Sequence, residues 1–459
     1  VIQKHPIGQC KILMLKTLLK FFNRSTIAAP VRNRNMMGFA DKQAFLDQRL
    51  KAEEIRAKEN RPHEVLYFHK VDDPYSYLTA SYAGEISKRF NVEVTPILVG
   101  DDVSETVHEP SMYDVHCLND ARRIGPYYDV HYHKDTYPDN KLVQQANSVL
   151  IKSDKKEFIP NALEIAKVIW GDKNEMSNEL SNNELSDTEI QKALKEGNMV
   201  RDKVGYYFGS AFHYEGENYW GLDRLNHLED RLIDLKLNKE NFNDYIISPA
   251  LTAPAEITSE KKLNLHFFPS LNSPYTYVSI NRTRDFAAKY NLNLITRPVL
   301  PMLMREMYIP LYKAKYIISD AAREGRRYEQ EIDKIYSPLG QPARRAYSLF
   351  PVIDSLGKGF EYIALLMDAS FNQGINIGEI DKLKAIAEKL NINWDQLEPH
   401  LDTEEWKKVL SDNLKDMYSG NCWGVPSYKL TNEDGSNPFY VWGQDRIWLL
   451  KEEAYLRLS

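Results

Sequence analysis

At 459 residues the chain exceeds one ordinary domain, and its 43% hydrophobic and 27% charged residues fit a soluble globular protein with room for two cores. A formal net charge of −6 argues against a dedicated nucleic-acid binder. No apolar run nears the roughly 18 residues of a membrane-spanning helix. The three cysteines, Cys10, Cys117 and Cys422, are far apart, which leaves no CxxC pair, no zinc-ligand spacing and no disulfide framework. Such usage suits a reducing, cytoplasmic setting.

The first 40 residues hold seven Lys or Arg and no acidic residue, around "KILMLKTLLKFF" at 11–22. Lys16 and Lys20 interrupt that run, against a secretory signal core. It reads as a helix for peripheral contact with a membrane surface, an organelle transit peptide, or a plain basic extension ahead of Met36. Residues 41–60 read as a charged helix, so 1–60 are grouped as an N-terminal extension. "EVLYFH" (64–69) and "LNLHFF" (263–268) read as strands, and the Pro- and Ala-rich stretch 247–262 as a linker.

A repeat organises the rest. "VDDPYSYLT" at 71–79 and "LNSPYTYVS" at 271–279 stand 200 residues apart, each between a strand and a helix. "RFNVEVTPIL" (89–98) matches "KYNLNLITRPVL" (289–300), and "NDARRIG" (119–125) matches "SDAAREG" (319–325). "FGSAF" (208–212) matches "WGVPS" (423–427), and "YWGLDRL" (219–225) matches "VWGQDRI" (441–447). Five segments in one order argue for two copies of one domain, 61–246 and 263–459. Each reads as βαβ, a helical insertion, a hairpin and a closing helix. That is an α/β fold, and its order is what a thioredoxin-type domain with a helical insertion requires.

Ser273-Pro274 alone reads as a helix start, since Ser is a good N-cap and Pro suits the first helical position. Two further elements add chemistry. "WGVPSYKL" (423–430) places Pro426 just ahead of a strand, where a thioredoxin-type fold holds a cis-proline against that helix start, and Val425 offers its backbone to an extended ligand. "WGQDRI" places Asp445 and Arg446 at a helix start suited to an α-amino-carboxylate such as the γ-glutamyl end of glutathione.

On "FFPSLNSPYTYV", "RPVL", "KAKYIISDAAREG", "LFPVIDS", "ASFNQGINIGEID", "CWGVPSY" and "VWGQDRIWLL", the second copy resembles the 2-hydroxychromene-2-carboxylate isomerases and kappa-class glutathione transferases. These belong to the wider group of DsbA-type thioredoxin folds. The resemblance covers 263–455, and is weaker over 64–235. It implies two tandem DsbA-type domains, glutathione as cofactor, and Ser273 as the residue whose hydroxyl donates to the glutathione sulfur. It implies glutathione contacts from Tyr275, Val425, Pro426, Gln444, Asp445 and Arg446, and it makes Lys315, Tyr316 and Arg323 candidates for a substrate carboxylate. An ordinary salt-bridge set with Asp320 is the competing reading of those three. Where the oxidoreductases carry C-P-x-C, this chain has Ser273 and Thr276, which excludes disulfide exchange there. The loop 301–314 lacks the Asn usual in the family, and 335–350 also departs from its pattern.

In the first copy Asp73 replaces the serine, Ala211 replaces the proline and Leu222 stands where Gln444 does. The helix start survives, but a carboxylate there repels a thiolate. The first copy therefore reads as catalytically silent, a partner of the second in an intramolecular pseudo-dimer. "HYH" at 131–133 lacks a third ligand, so no metal is expected. Cys422 reads either as a resolving or glutathionylated thiol or as a buried inert one. The sequence points to a glutathione-dependent isomerase or transferase acting on a small hydrophobic or aromatic-derived electrophile. The rival is a non-catalytic binding or scaffold protein derived from the same fold.

Overall fold

The computed structural model describes residues 28–173, 185–239, 244–248, 257 and 259–459. The run at 11–22 and about half of the expected linker 247–262 lie outside them. The chain divides into two compact units, Leu46–Thr252 and a second that joins Val1–Phe45 to Ala253–Ser459. Both are mixed α/β.

In the Leu46–Thr252 unit, β1 (Glu64–His69) runs parallel to β2 (Glu93–Leu98), with Glu64 opposite Glu93. On its other side β1 pairs antiparallel with β3 (Ala211–Tyr214), which pairs antiparallel with β4 (Glu217–Trp220). The parallel pair needs a crossover, supplied by helix Pro74–Arg89. Val65, Tyr67 and Phe68 of β1 are fully buried, with the alternating side chains on both faces of the sheet. Helices Pro110–Ile124, Asn140–Lys152, Phe158–Ile169 and Asp187–Lys203 form the insertion, and Leu225–Asp234 closes the unit. The charged stretch 41–60 forms helix Lys42–Lys58, which buries no residue. Its Arg49 grips Glu217 with two bonds, of 2.6 and 3.0 Å.

The other sheet has the order β6-β5-β7-β8 against β2-β1-β3-β4 in the first, the same arrangement. Here β5 (Leu263–Phe268) lies parallel to β6 (Asn293–Thr296) and antiparallel to β7 (Ser427–Asn432), with β8 (Phe439–Trp442) outside β7. Every residue of β5 is buried, as a central strand covered on both faces demands. The crossover is helix Pro274–Lys289, and Ile447–Leu458 is the closing helix. The insertion between β6 and β7 starts with helix Leu311–Arg327 and ends with Glu405–Ser419.

Like helix Lys42–Lys58, a second element of the 1–60 grouping packs on the rest of the chain. Residues 29–40 form a helix, Ala29–Ala40, that packs on Leu311–Arg327 instead of standing apart as part of an extension. Its buried residues are small alanines, Ala29 and Ala40, which carry no hydrophobic periodicity for a sequence reading to detect.

Candidate functional site

The turn after β5 delivers Ser273 to the start of helix Pro274–Lys289. Its N–H donates to the Ser270 carbonyl at 3.0 Å. In extended backbone (φ −105°, ψ 112°) it is the N-cap, with Pro274 next in the chain. Its Oγ accepts from the Thr276 N–H at 3.1 Å and donates to the Val425 carbonyl at 3.2 Å. Val425–Pro426 is the one cis peptide bond among the described residues. The expected meeting of Ser273 with the Val425–Pro426 segment is therefore present. Thr276, at the second position of the motif, is fully buried, and its Oγ1 accepts from the Ser270 N–H at 3.4 Å.

Both sides of the meeting are braced. Tyr347 is fully buried; its hydroxyl donates to the Val299 carbonyl at 3.0 Å and accepts from the Leu271 N–H at 3.1 Å. Burial pushes its phenol up to about 12, so it stays a neutral donor. Tyr347→Phe strips two buried backbone groups of a partner and is expected to cost about 1–3 kcal/mol. A urea melt shifted by less than about 0.5 kcal/mol would show that the brace carries no load. On the other side, Arg305 Nη2 donates to the Trp423 carbonyl at 2.9 Å, and the Trp423 and Trp442 rings lie 4.3 Å apart. Between them Gly424 has no room for a side chain, since a Cβ would lie 2.4 Å from Trp442 Nε1. Cys422 is fully buried, its sulfur 3.5 Å from the Gly420 carbonyl, which favours the inert reading.

Several of the other sequence-selected residues find protein partners. The Tyr275 hydroxyl donates to Asp320 Oδ2 at 2.6 Å, and Arg323 pairs with Asp320 Oδ1. The salt-bridge reading thus holds for Arg323. Lys315 is exposed and Tyr316 half-buried on the same helix. Gln444 is buried; its amide donates to Glu324 Oε2 at 2.7 Å and to Asp445 Oδ1, and its oxygen accepts from Arg282. The arrangement commits the Gln444 amide to holding the Gln444–Arg446 turn in place. Asp445 is half-buried and Arg446 buried in that turn, which packs on helix Pro274–Lys289. Sequence reasoning missed Arg282, Glu324, Tyr347 and Asn272. The last passes a hydrogen bond between Ser337 and the site, with Ser337 Oγ donating to its Oδ1 at 2.6 Å.

The same local plan recurs in the Leu46–Thr252 unit. Asp73 caps its helix by accepting from the Tyr75 N–H at 3.0 Å, and also accepts from Ser76 Oγ at 2.9 Å. The Lys70 N–H donates to Ser76 Oγ at 3.2 Å, as Ser270 does to Thr276. The Tyr75 hydroxyl donates to Asp120 Oδ2 at 2.8 Å, as Tyr275 does to Asp320. Burial, with the Asp102 carboxylate beside it, pushes the Asp73 carboxyl up to about 7 against the pull of Lys70. Ser210–Ala211 is trans. No group of three or more metal-ligating side chains occurs among the described residues, the "HYH" stretch included. Nor is any described helix long and apolar enough to cross a membrane.

Residues 264–454 match the family model of the DSBA-like thioredoxin domain. Among solved structures, 2-hydroxychromene-2-carboxylate isomerase is similar at 20% identity over 42% of this chain and 95% of that one, with a TM-score of 0.35. The cytosolic disulfide reductase DsbM from Pseudomonas aeruginosa follows at 16% identity, 43% of this chain and 100% of that one, TM-score 0.33. The same reductase with GSH gives 16% identity, 42% and 100%, and a TM-score of 0.32. No curated protein matches the chain.

Proposed function

We propose that the 264–454 domain is a glutathione-dependent isomerase or transferase acting on a hydrophobic or aromatic-derived electrophile, with Ser273 as its thiolate-stabilising residue. The observation that carries this reading is the Ser273 hydroxyl at a helix N-terminus, 3.2 Å from the carbonyl of the cis Val425–Pro426 pair, with no cysteine at 273 or 276. The donor set fits glutathione: a hydroxyl and helix start for sulfur, the Val425 backbone for an extended peptide, and Asp445 for an ammonium group. Glutathione would supply a thiolate that adds to an electrophilic carbon, and it is either expelled after bond rotation or retained in the product.

Ser273 does not attack; it holds the sulfur's charge. A helix terminus contributes about 0.3–1 kcal/mol and a hydrogen bond to a charged sulfur about 1.5–3. To donate there, the hydroxyl must turn from the Val425 carbonyl, which gives back about 0.5–1.5 kcal/mol. The net of about 2 kcal/mol corresponds to a bound-thiol pKa lowered by roughly one to two units.

The matched hydrogen bonds of Tyr75–Asp120 and Tyr275–Asp320, and the identical strand orders, support a tandem duplication in which the Leu46–Thr252 unit is a silent copy. On this reading the two copies form an intramolecular pseudo-dimer, and the reaction is cytoplasmic. Calorimetric titration with glutathione tests the proposal. The wild type is expected to bind, and ultraviolet thiolate titration should place the bound thiol about one unit lower than in Ser273→Ala. Failure to bind at millimolar glutathione would leave the scaffold reading in its place.

A further inference from the structure

We propose that helix Ala29–Ala40 is a resident cap on the Ser273 site, and that its release from Ser337 opens the site. The cap is read from contacts alone; its regulatory meaning rests on Ser273 being the working residue.

Ser337 lies between the helix and the site and is 1% exposed. Besides the local bond from the Leu339 N–H to its carbonyl, it makes four hydrogen bonds, three of them with the helix. Arg32 Nε donates to Ser337 Oγ at 3.0 Å and Arg32 Nη2 to its carbonyl at 3.0 Å, while the Ser337 N–H donates to Asn33 Oδ1 at 2.9 Å. The fourth runs from Ser337 Oγ to Asn272 at 2.6 Å, and Asn272 directly precedes Ser273. Burial lowers the Arg32 guanidinium pKa while the Tyr336 phenol raises it, as expected for a cation held against the protein.

The other end of the helix is seated on Leu311–Arg327, which bears Lys315, Tyr316 and Arg323. Ser319 Oγ donates to the Phe39 carbonyl at 3.0 Å, and Arg326 Nη1 to the Ala40 carbonyl at 3.4 Å. The helix thus reaches from the turn carrying Ser273 to the helix that carries the candidate substrate residues.

The seat is built to come apart. Of its larger apolar residues Val31 and Met37 are 54% and 37% exposed and Met36 and Phe39 only half-buried, while those fully buried are the small Ala28, Ala29 and Ala40. On release no large, fully buried apolar side chain returns to water, only the alanines and the half-buried Met36 and Phe39, and the polar groups exchange protein partners for water. The helix contributes no strand to the β5–β8 sheet, so undocking breaks no pairing of that sheet.

The test uses the full chain with Ser273→Cys as a probe and iodoacetamide as reagent, read by peptide mass spectrometry at position 273. A thiol at a helix start is reactive, so its labelling rate reports access, and labelling through an opened state tracks how often the cap is off. Arg32→Ala with Asn33→Ala removes all three helix bonds to Ser337 and should raise the rate about tenfold or more. Arg34→Ala, an exposed neighbour, should leave it unchanged. Equal rates in all three chains would overturn the cap. Hydrogen exchange on the wild type is an independent check. The Ser337 amide and the helix should exchange together, ahead of β5, and protection equal to that of β5 would overturn detachability. Calorimetry separates the two readings: if the wild type does not bind glutathione, the assignment of function fails while the labelling difference still decides the cap.

Discussion

Ser273→Asp should keep the fold and abolish thiolate binding. Aspartate caps a helix as well as serine does, and Asp73 does so at the matching position of the Leu46–Thr252 unit. The variant should therefore melt within a few degrees of the wild type. Its site, however, loses a donor worth about 1.5–3 kcal/mol to a charged sulfur. It also gains a carboxylate that repels a thiolate by up to about 4 kcal/mol at 4 Å in surroundings of effective dielectric 20. Together these predict glutathione binding weakened at least 100-fold at pH 8, where the carboxyl is ionised, with the bound thiol no longer more acidic than the free one. Ser273→Ala separates the two contributions. It loses only the donor, for about 10- to 100-fold, and the missing cap costs about 0.5–2 kcal/mol of stability. An aspartate variant that binds glutathione as tightly as wild type would remove Ser273 from the site.

The residues that sequence could place are those governed by local rules. "EVLYFH" and "LNLHFF" became β1 and β5 without a residue's error, because short apolar runs bounded by turn residues have few other uses. Ser273 at a helix start follows from S-P alone. Its meeting with Val425 required the fold, and the repeat supplied that through the order of elements. What failed to show was the partner of each polar group. Tyr275 and Asp320 both sat in segments that align across the repeat with Tyr75 and Asp120, yet a common offset does not announce a hydrogen bond. Gln444 looked available to a ligand because the sequence does not announce its distant partners; Glu324 and Arg282 bind it from 120 and 162 residues away. Helix Ala29–Ala40 was invisible as part of the second unit for the same reason. Its alanines give no amphipathic signal, and its partners come from the far end of the chain.

Asp73→Asn should remove a pH dependence built into the Leu46–Thr252 unit. The Asp73 carboxyl is held near 7 against an ordinary value of 3.8, first by burial and then by Asp102. Between those values the folded unit holds a proton that the unfolded chain releases. Stability is therefore fully present below about pH 4, falls as pH rises, and levels off above about 7. Asparagine keeps an oxygen for the Tyr75 N–H and cannot ionise. Lys70 retains Asp72 and Asp102, with Nζ–Oδ distances of 3.6 and 3.8 Å. Complete conversion of the shift gives about 4 kcal/mol. Asp73 is only partly shielded from solvent, so about 1–2 kcal/mol is the expected gain of the variant over wild type at pH 8 relative to pH 4.5. Urea melts at pH 4.5, 6 and 8 measure it, and parallel curves for the two proteins would show that Asp73 titrates normally. The same proton bears on the proposal that the Leu46–Thr252 unit is catalytically silent. Near neutral pH the group in the serine's place is about half ionised and accepts from Tyr75 and Ser76, so it meets a thiol with occupied oxygens and partial negative charge. Silence would then deepen with rising pH, opposite to the direction in which a thiolate site gains its nucleophile.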